Sequence, residues 1–358
     1  MSDLRNGLKI CLAVLALVLS MCMLAACDKG DRENGHEGHD HNATTTEELK
    51  EIVIGFQAIP NATIVAKDFG WHEETLGVPV QYVQVDSGRD LNVGLGSGSI
   101  HIGLGGSSPS ALALSQGVPA KMIWIYDIIG KNEALVVKKD SNIQSLADLK
   151  DKIVAAPFAS TTHYHLMAAF EVYNVDMPES NILDLQPPDM LAAWTRGDID
   201  AGFVWEPTLS KMLEQNGRVL IYSQELADKG YVTGDVCLAH TDFLDNYPDL
   251  AAKYLEVENR AVQYCRENPE DAARRIARQF SIDASEALRQ MQSLVLLDGE
   301  EQLGEKYLGT SDKPGKMAET LKQTADFLVE QKKIKSAPDL ENFRTMVSPQ
   351  YLEKAMDN

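Results

Sequence analysis

Ile100-His-Ile-Gly-Leu104-Gly105-Gly106-Ser107-Ser108-Pro109-Ser-Ala-Leu-Ala-Leu-Ser-Gln116 decides the fold class. Ile100–Leu104 is short and apolar, which predicts a buried strand. Pro109 to Gln116 reads as a helix with proline near its first turn. Only Gly105–Ser108 separates them, so strand passes to helix within one tight loop. The same order recurs outward from this point. Upstream, Ile52–Gly55 predicts a strand, Asn61–Phe69 a helix ending at Gly70, Val80–Val85 a strand and Gly88–Leu95 a helix. Downstream, Met122–Tyr126 and Ala134–Lys138 predict strands. After Ser145-Leu-Ala-Asp-Leu149 the alternation restarts. Strands are expected at Ile153–Ala156, Ile182–Leu185, Ala201–Val204, Arg218–Tyr222 and Val236–Ala239, with helices over Thr162–Tyr173 and Met190–Arg196. Beyond Thr241 the chain reads as nearly all helical. Repeated strand–helix units predict an α/β fold with mostly parallel sheets.

Without its first segment the chain has about 310 residues, more than one usual core holds, so two domains are expected. The restart near Lys139 places the boundary: residues 51–138 with 236–358 form one lobe, and 139–235 the other. The late helices return to complete the first lobe. Two Rossmann-like lobes joined by more than one crossing leave a cleft that closes by hinge motion.

The N-terminus has its own logic. Arg5 and Lys9 precede an apolar run from Ile10 to Met23, then Leu24-Ala25-Ala26-Cys27. That order is a secretory signal over residues 1–26. Leu-Ala-Ala-Cys resembles the lipobox of bacterial lipoproteins, so Cys27 is expected to become a lipidated N-terminus, with 27–48 as a flexible tether rich in Gly, Asn, Thr and charge. The tether carries His36, His39 and His41. Nothing there fixes a ligand geometry, so no metal is expected.

Losing Arg5, Lys9 and Asp3 with the leader changes the formal net charge from −20 to −21. Such a surface argues against nucleic acid and anionic lipid as partners. Cys27, Cys237 and Cys265 remain of five cysteines. The last two read as buried free thiols, because a domain this large needs no staple.

Two loops share a chemistry. Gly105-Gly106-Ser107-Ser108-Pro109 and Ala159-Ser160-Thr161-Thr162-His163-Tyr164 each join a strand to a helix. Each would offer free N–H groups and hydroxyls at a helix N-terminus, a local anion site. One such loop is ordinary helix capping. One in each lobe means that closure brings two anion sites together. Gly94-Leu-Gly96-Ser-Gly98 follows a helix and precedes a strand, the reverse of a dinucleotide loop, and reads as a helix end. No nucleophile elbow, zinc-protease motif, Walker loop or Cys-x-x-Cys occurs. His163 and His165 lie two apart and point away from each other on a helix. Neither an enzyme nor a cofactor is expected.

Several segments resemble the taurine branch of the nitrate, sulfonate and taurine receptors of bacterial ABC importers. They are Leu104-Gly-Gly-Ser-Ser-Pro109, Asn132-Glu-Ala-Leu-Val-Val-Lys-Lys139, Pro157-Phe-Ala-Ser-Thr-Thr-His-Tyr164, Leu185-Gln-Pro-Pro188, Ala192-Ala-Trp-Thr-Arg-Gly-Asp-Ile-Asp-Ala201 and Val204-Trp-Glu-Pro207. The resemblance implies a two-lobed type II periplasmic binding protein, acting as a monomer that hands taurine or a related sulfonate to ABC permease subunits. It implies Gln57, Ser107, Ser108, Thr161, Thr162 and His163 around the sulfonate, Trp205 as a wall, and Asp235 as partner of the amine. Glu206 and Glu133 are rival acids for that last role. Cys237, the Ile59-Pro-Asn segment and the lipid anchor depart from the branch's pattern. A receptor for another small anion or a pyrimidine precursor is the second reading, and a thiamine-precursor-type enzyme using His163 or Cys237 the third.

Overall fold

The computed structural model describes residues 49–176 and 178–357. Cys27, the leader, the tether and the His36/His39/His41 tract lie outside the described residues.

Two five-stranded sheets organise the chain. The first contains β1 (Ile52–Phe56), β2 (Val80–Gln84), β3 (Ile102–Gly106), β4 (Ala120–Ile128) and β10 (Gly234–His240), in the order β2-β1-β3-β10-β4. β1 runs parallel to β2 and β3, while β10 lies antiparallel between β3 and β4. The second contains β5 (Glu133–Lys138), β6 (Val154–Ala156), β7 (Ile182–Asp184), β8 (Ala201–Trp205) and β9 (Gly217–Tyr222), in the order β7-β6-β8-β5-β9. There β5 is the antiparallel strand, between β8 and β9. Each sheet is thus parallel except for the strand that enters it from the other. The mostly parallel α/β expectation holds.

Strand pairing groups some residues differently from the sequence expectation. β5, grouped by sequence with the first lobe, hydrogen-bonds in the second sheet, and Gly234 and Asp235, grouped with the second, begin β10 of the first. The reason is that periodicity identifies a strand but not its neighbours, and a crossing strand looks like any other buried one.

Side chains from one strand supply cores on both faces of the second sheet. Leu135 and Val137 of β5 join one buried cluster and Ala134 and Val136 the other. β6 divides likewise, with Val154 and Ala156 on one face and Ala155 on the opposite. This is the period of two expected of a strand covered on both sides. The first core combines residues of 52–126 with residues of 236–355, so the late helices do return to the first sheet. The longest of them, α10 (Pro248–Glu267), buries Glu258 against α1 (Ala62–Phe69) and α2 (Trp71–Leu76). Glu258 accepts a hydrogen bond from Thr63 Oγ1 at 2.7 Å and lies 3.0 Å from His72 Nε2; His72 Nδ1 lies 2.9 Å from the Tyr82 hydroxyl. Gly70 ends α1 in the left-handed region at φ 73°, as its place after the periodic run predicts.

Three helices matter for the cleft. These are α3 (Gly88–Gly96), α4 (Ser107–Ser115) and α5 (Thr161–Val172). α4 begins two residues earlier than proline placement suggests, because Pro109 takes the third helical position, where its missing N–H is still among the orphans. Ser107 and Ser108 therefore sit in the first helical turn. Cys237 and Cys265 are both free and buried, as expected.

Candidate functional site

A cavity of about 20 Å³, room for about one water, lies where the two sheets face each other. From the first sheet and its helices it is lined by Gln57, Ile59, Gly88, Gly106, Pro109 and Asp235. The other wall is Glu133, Ser160, Thr161 and Trp205. Every segment sits at or just past a strand end, where ligands of open α/β sheets bind.

The walls touch. A Cβ on Gly106 would fall 2.8 Å from Thr161 Cγ2, so the start of α4 and the start of α5 are in contact through the missing side chain. A Cβ on Gly88 would fall 2.4 Å from Pro109 Cγ and 3.6 Å from the Gly106 nitrogen, which brings the start of α3 to the same point. Three helix N-termini thus meet around Gly106. Their unsatisfied N–H groups and dipoles bring partial positive charge to that point in an acidic protein. Ser108 Oγ and Ser87 Oγ, the latter at the N-cap of α3, are buried and have no hydrogen-bond partner. Buried polar groups are normally paired, so these are free donors beside the same point. Ser107 Oγ accepts from the Gly234 N–H at 3.3 Å. Gln57 Nε2 donates to the Leu104 carbonyl at 3.3 Å.

Carboxyl groups border the same cavity: Asp235 pairs with Gly106 across β10 and β3. Asp235 of β10 stands directly across from Asp127 of β4, and a bulge in the ladder after Asp235 leaves Tyr126 unpaired at that point. Asp127 is fully buried and neither of its oxygens has a partner. Burial first, then the charges of Asp235 and Glu133, pushes its carboxyl well above the usual range. Burial first, then Glu133, pushes Asp235 up to about 8. Glu133 itself accepts from Thr161 Oγ1 at 2.5 Å and Ser223 Oγ at 3.2 Å, with His165 Nδ1 3.7 Å away. The cavity thus combines hydrogen-bond donors with carboxyl groups that have no lysine or arginine partner among the described residues.

Of the residues expected from sequence, Gln57, Thr161, Trp205 and Asp235 line the cavity. Ser107 and Ser108 flank it in the first turn of α4. Thr162 and His163 are not among the lining residues. Thr162 Oγ1 pairs with Ser160 Oγ at 2.8 Å, and the His163 ring stacks on Phe158 with centroids 4.6 Å apart. Burial, aided by Lys333, lowers the His163 imidazole to about 4, so it is neutral near pH 7 and brings no positive charge. Of the rival acids, Glu206 is occupied: it accepts from Ser210 N at 3.0 Å, Ser210 Oγ at 2.5 Å and Arg289 Nη2 at 3.2 Å. Sequence reasoning missed Asp127. Its signal was a lone acid closing the apolar run Met122–Tyr126. It also missed Gly88 and Ser87, whose helix was expected but whose N-terminus was not connected to the loops.

Comparison with known proteins bears on the family and the fold. The NMT1/THI5-like family profile matches residues 61–272. The chain is 32% identical over 289 residues to the taurine-binding periplasmic protein of Escherichia coli (strain K12), covering 79% of this chain and 87% of that one. It is 29% identical over 263 residues to a putative aliphatic sulfonates-binding protein of Bacillus subtilis (strain 168), covering 73% and 76%. The crystal structure of the periplasmic aliphatic sulphonate binding protein of Escherichia coli superposes with a TM-score of 0.66 at 22% identity, over 82% of this chain and 92% of that one. At that identity the likeness speaks for the fold alone. Sequence match, superposition and the two facing sheets agree: the chain belongs to the NMT1/THI5-like family and has the two-lobed fold of the type II periplasmic binding proteins.

Proposed function

We propose that this protein is the extracytoplasmic receptor of an ABC importer, capturing taurine or a close aminosulfonate between its lobes and delivering it to permease subunits. The observation that carries this reading is the mixed lining of the cavity. Donor groups from three helix N-termini meet at Gly106, and the carboxyls of Asp235 and Glu133 line the same cavity, with Asp127 across from Asp235. A short zwitterion needs both kinds of group, since each charge leaving water requires a partner. A simple anion has no use for the acids. A lobe arrangement of 49–128 with 234–357 against 133–222 is supported by the strand pairing and is part of the proposal, as is a monomeric state.

At about 20 Å³ the cavity is too small for a ligand of about seven heavy atoms, so the lobes separate to admit it and close around it. The best tiny ligands gain about 1.5 kcal/mol per heavy atom, which places the tightest attainable Kd near tens of nanomolar. The protein performs no chemistry in this reading. His163 is a neutral stacked ring, and burial holds the Cys237 thiol far above its ordinary range, so neither forms an activated pair. Lipid attachment at Cys27, supported by the leader and Leu-Ala-Ala-Cys, would hold the receptor beside its permease. Mass spectrometry of the cell-derived N-terminal peptide tests it; a free thiol at Cys27 refutes it. Among the described residues no helix is long and apolar enough to cross a membrane.

The test is calorimetry with taurine and isethionate on wild type and Asp235→Asn. Removing a charge-assisted hydrogen bond to the amine costs about 1.5–3 kcal/mol, a roughly 10- to 150-fold loss for taurine. Isethionate, which has a hydroxyl instead of the amine, should be nearly unaffected. Equal losses for both would end the assigned role of Asp235, and no binding of either would end the functional reading.

A further inference from the structure

Asp127 is the residue that the capture reading leaves over. It is fully buried, both of its carboxyl oxygens lack a partner, and it stands opposite Asp235, which lines the cavity. Residues directly opposite in an antiparallel pair have Cβ atoms about 4.5–5.5 Å apart on the same face. The two carboxyls therefore share one small space. The bulge at Tyr126 produces this alignment: without the extra residue Asp235 would face Tyr126.

The groups facing this pair come from three strands. Asp127 is on β4, Asp235 on β10 and Glu133 on β5, with His165 of α5 reaching only Glu133, at 3.7 Å. Among the described residues no lysine or arginine pairs with any of the three acids, and no cluster of metal-binding character occurs. Two carboxylates with no cation and no donor between them do not both ionise at close range; one keeps a proton and donates it to the other. One oxygen of Asp127 and one of Asp235 then share a single O–H···O bond, which gives the buried Asp127 carboxyl a partner.

We propose that Asp127 and Asp235 form a proton-sharing pair, and that the arriving ammonium group displaces the shared proton to solvent, so that each ligand captured releases one proton. The step balances without a covalent change. The pair goes from one proton and one negative charge to two negative charges against the ligand's positive charge, and the proton leaves to water. This rests on the amine-binding role of Asp235 proposed above and adds what regulates it. Burial and the neighbouring charges that raise both carboxyls act in the same direction. Affinity for an aminosulfonate should rise about tenfold per pH unit across the acidic side of the pair's titration and level off above it. In an acidic medium the site would release its cargo more readily, while sulfonates without an amine would bind with little pH dependence.

Calorimetry of the wild-type protein with taurine at pH 7, repeated in two buffers of different ionisation enthalpy, reads the protons released. Close to one per taurine and close to zero per isethionate are expected. Taurine binding with no proton release overturns the proposal while leaving the capture reading intact. A second measurement needs no ligand. Carboxyl ¹³C NMR titration of the free protein should show one of the two side chains protonated at pH 6 and, in Asp127→Asn, Asp235 titrating at lower pH. Both carboxyls ionised at pH 6, or an Asp235 titration unchanged in Asp127→Asn, overturns it.

Discussion

Gly106→Ala tests whether ligand capture depends on the lobes meeting at one point. The added methyl would lie 2.8 Å from Thr161 Cγ2, whereas carbon atoms rest about 3.5–4.0 Å apart. The backbone gives no other reason for a defect, since Gly106 has φ −61° and ψ 155°, which alanine adopts freely. Nor can Thr161 swing aside cheaply. It is β-branched, and its Oγ1 donates to Glu133 at 2.5 Å, so rotation breaks a buried hydrogen bond. The overlap must be relieved by separating the walls by about 1 Å, at the about 1–3 kcal/mol typical of overpacking. That penalty falls on the closed state only. If ligand is held in the closed state, apparent affinity for taurine drops about 5- to 150-fold, while the thermal midpoint of the free protein, able to sit slightly open, changes little. Thr161→Ser removes the offending methyl and keeps the hydroxyl. The double variant Gly106→Ala/Thr161→Ser should therefore recover most of the loss, giving a coupling energy of about 1–2 kcal/mol in a double-mutant cycle by calorimetry. An unchanged affinity in Gly106→Ala, or a double variant no better than the single one, would refute the argument that these two residues limit closure.

Three further outcomes are expected. Arg289→Ala removes the cation that reaches from α12 (Ala284–Met291) to the buried Glu206 beside Trp205; with about half of the Arg289 side chain in solvent the loss is about 1 kcal/mol, seen as a faster ligand off-rate in stopped flow, and an unchanged off-rate would rule out a closing role for this pair. Glu258→Ala strands Thr63 and His72 in the first core and should cost about 2–5 kcal/mol in urea unfolding, whereas a cost under about 0.5 kcal/mol would mean that the network is not closed in solution. For pH, Asp235 is raised to about 8 in the folded state by burial and by Glu133 while an unfolded aspartate titrates near 4, so the native protein holds the extra proton between those values. The associated stability is fully present below about pH 4 and is lost as pH rises towards 8. Urea midpoints of the free protein at pH 5 and pH 8 should show that decline, and Asp235→Asn should flatten it; a decline of equal size in the variant would assign it elsewhere.

The sequence by itself determined the α/β class, the strand–helix alternation and the two loops that end at helix N-termini. These are local properties: a period of two or of 3.6, a proline in a first turn, a glycine after a last one. It also brought Gln57, Thr161, Trp205 and Asp235 within reach of one another through resemblance, and all four line one cavity. Tertiary structure decided the rest. Thr162 and His163 share a loop with Thr161, yet helix geometry points neighbours in different directions, and these two pair with Ser160 and Phe158 instead. β5, with Gly234 and Asp235 at the start of β10, pairs in the other sheet from the one expected because pairing partners are chosen by long-range packing that no window of sequence contains. The alignment of Asp127 with Asp235 depends on a one-residue bulge between strands more than 100 positions apart. A bulge of that kind shifts which residue stands opposite which, so the acid that completes the pair is legible only once the ladder is formed.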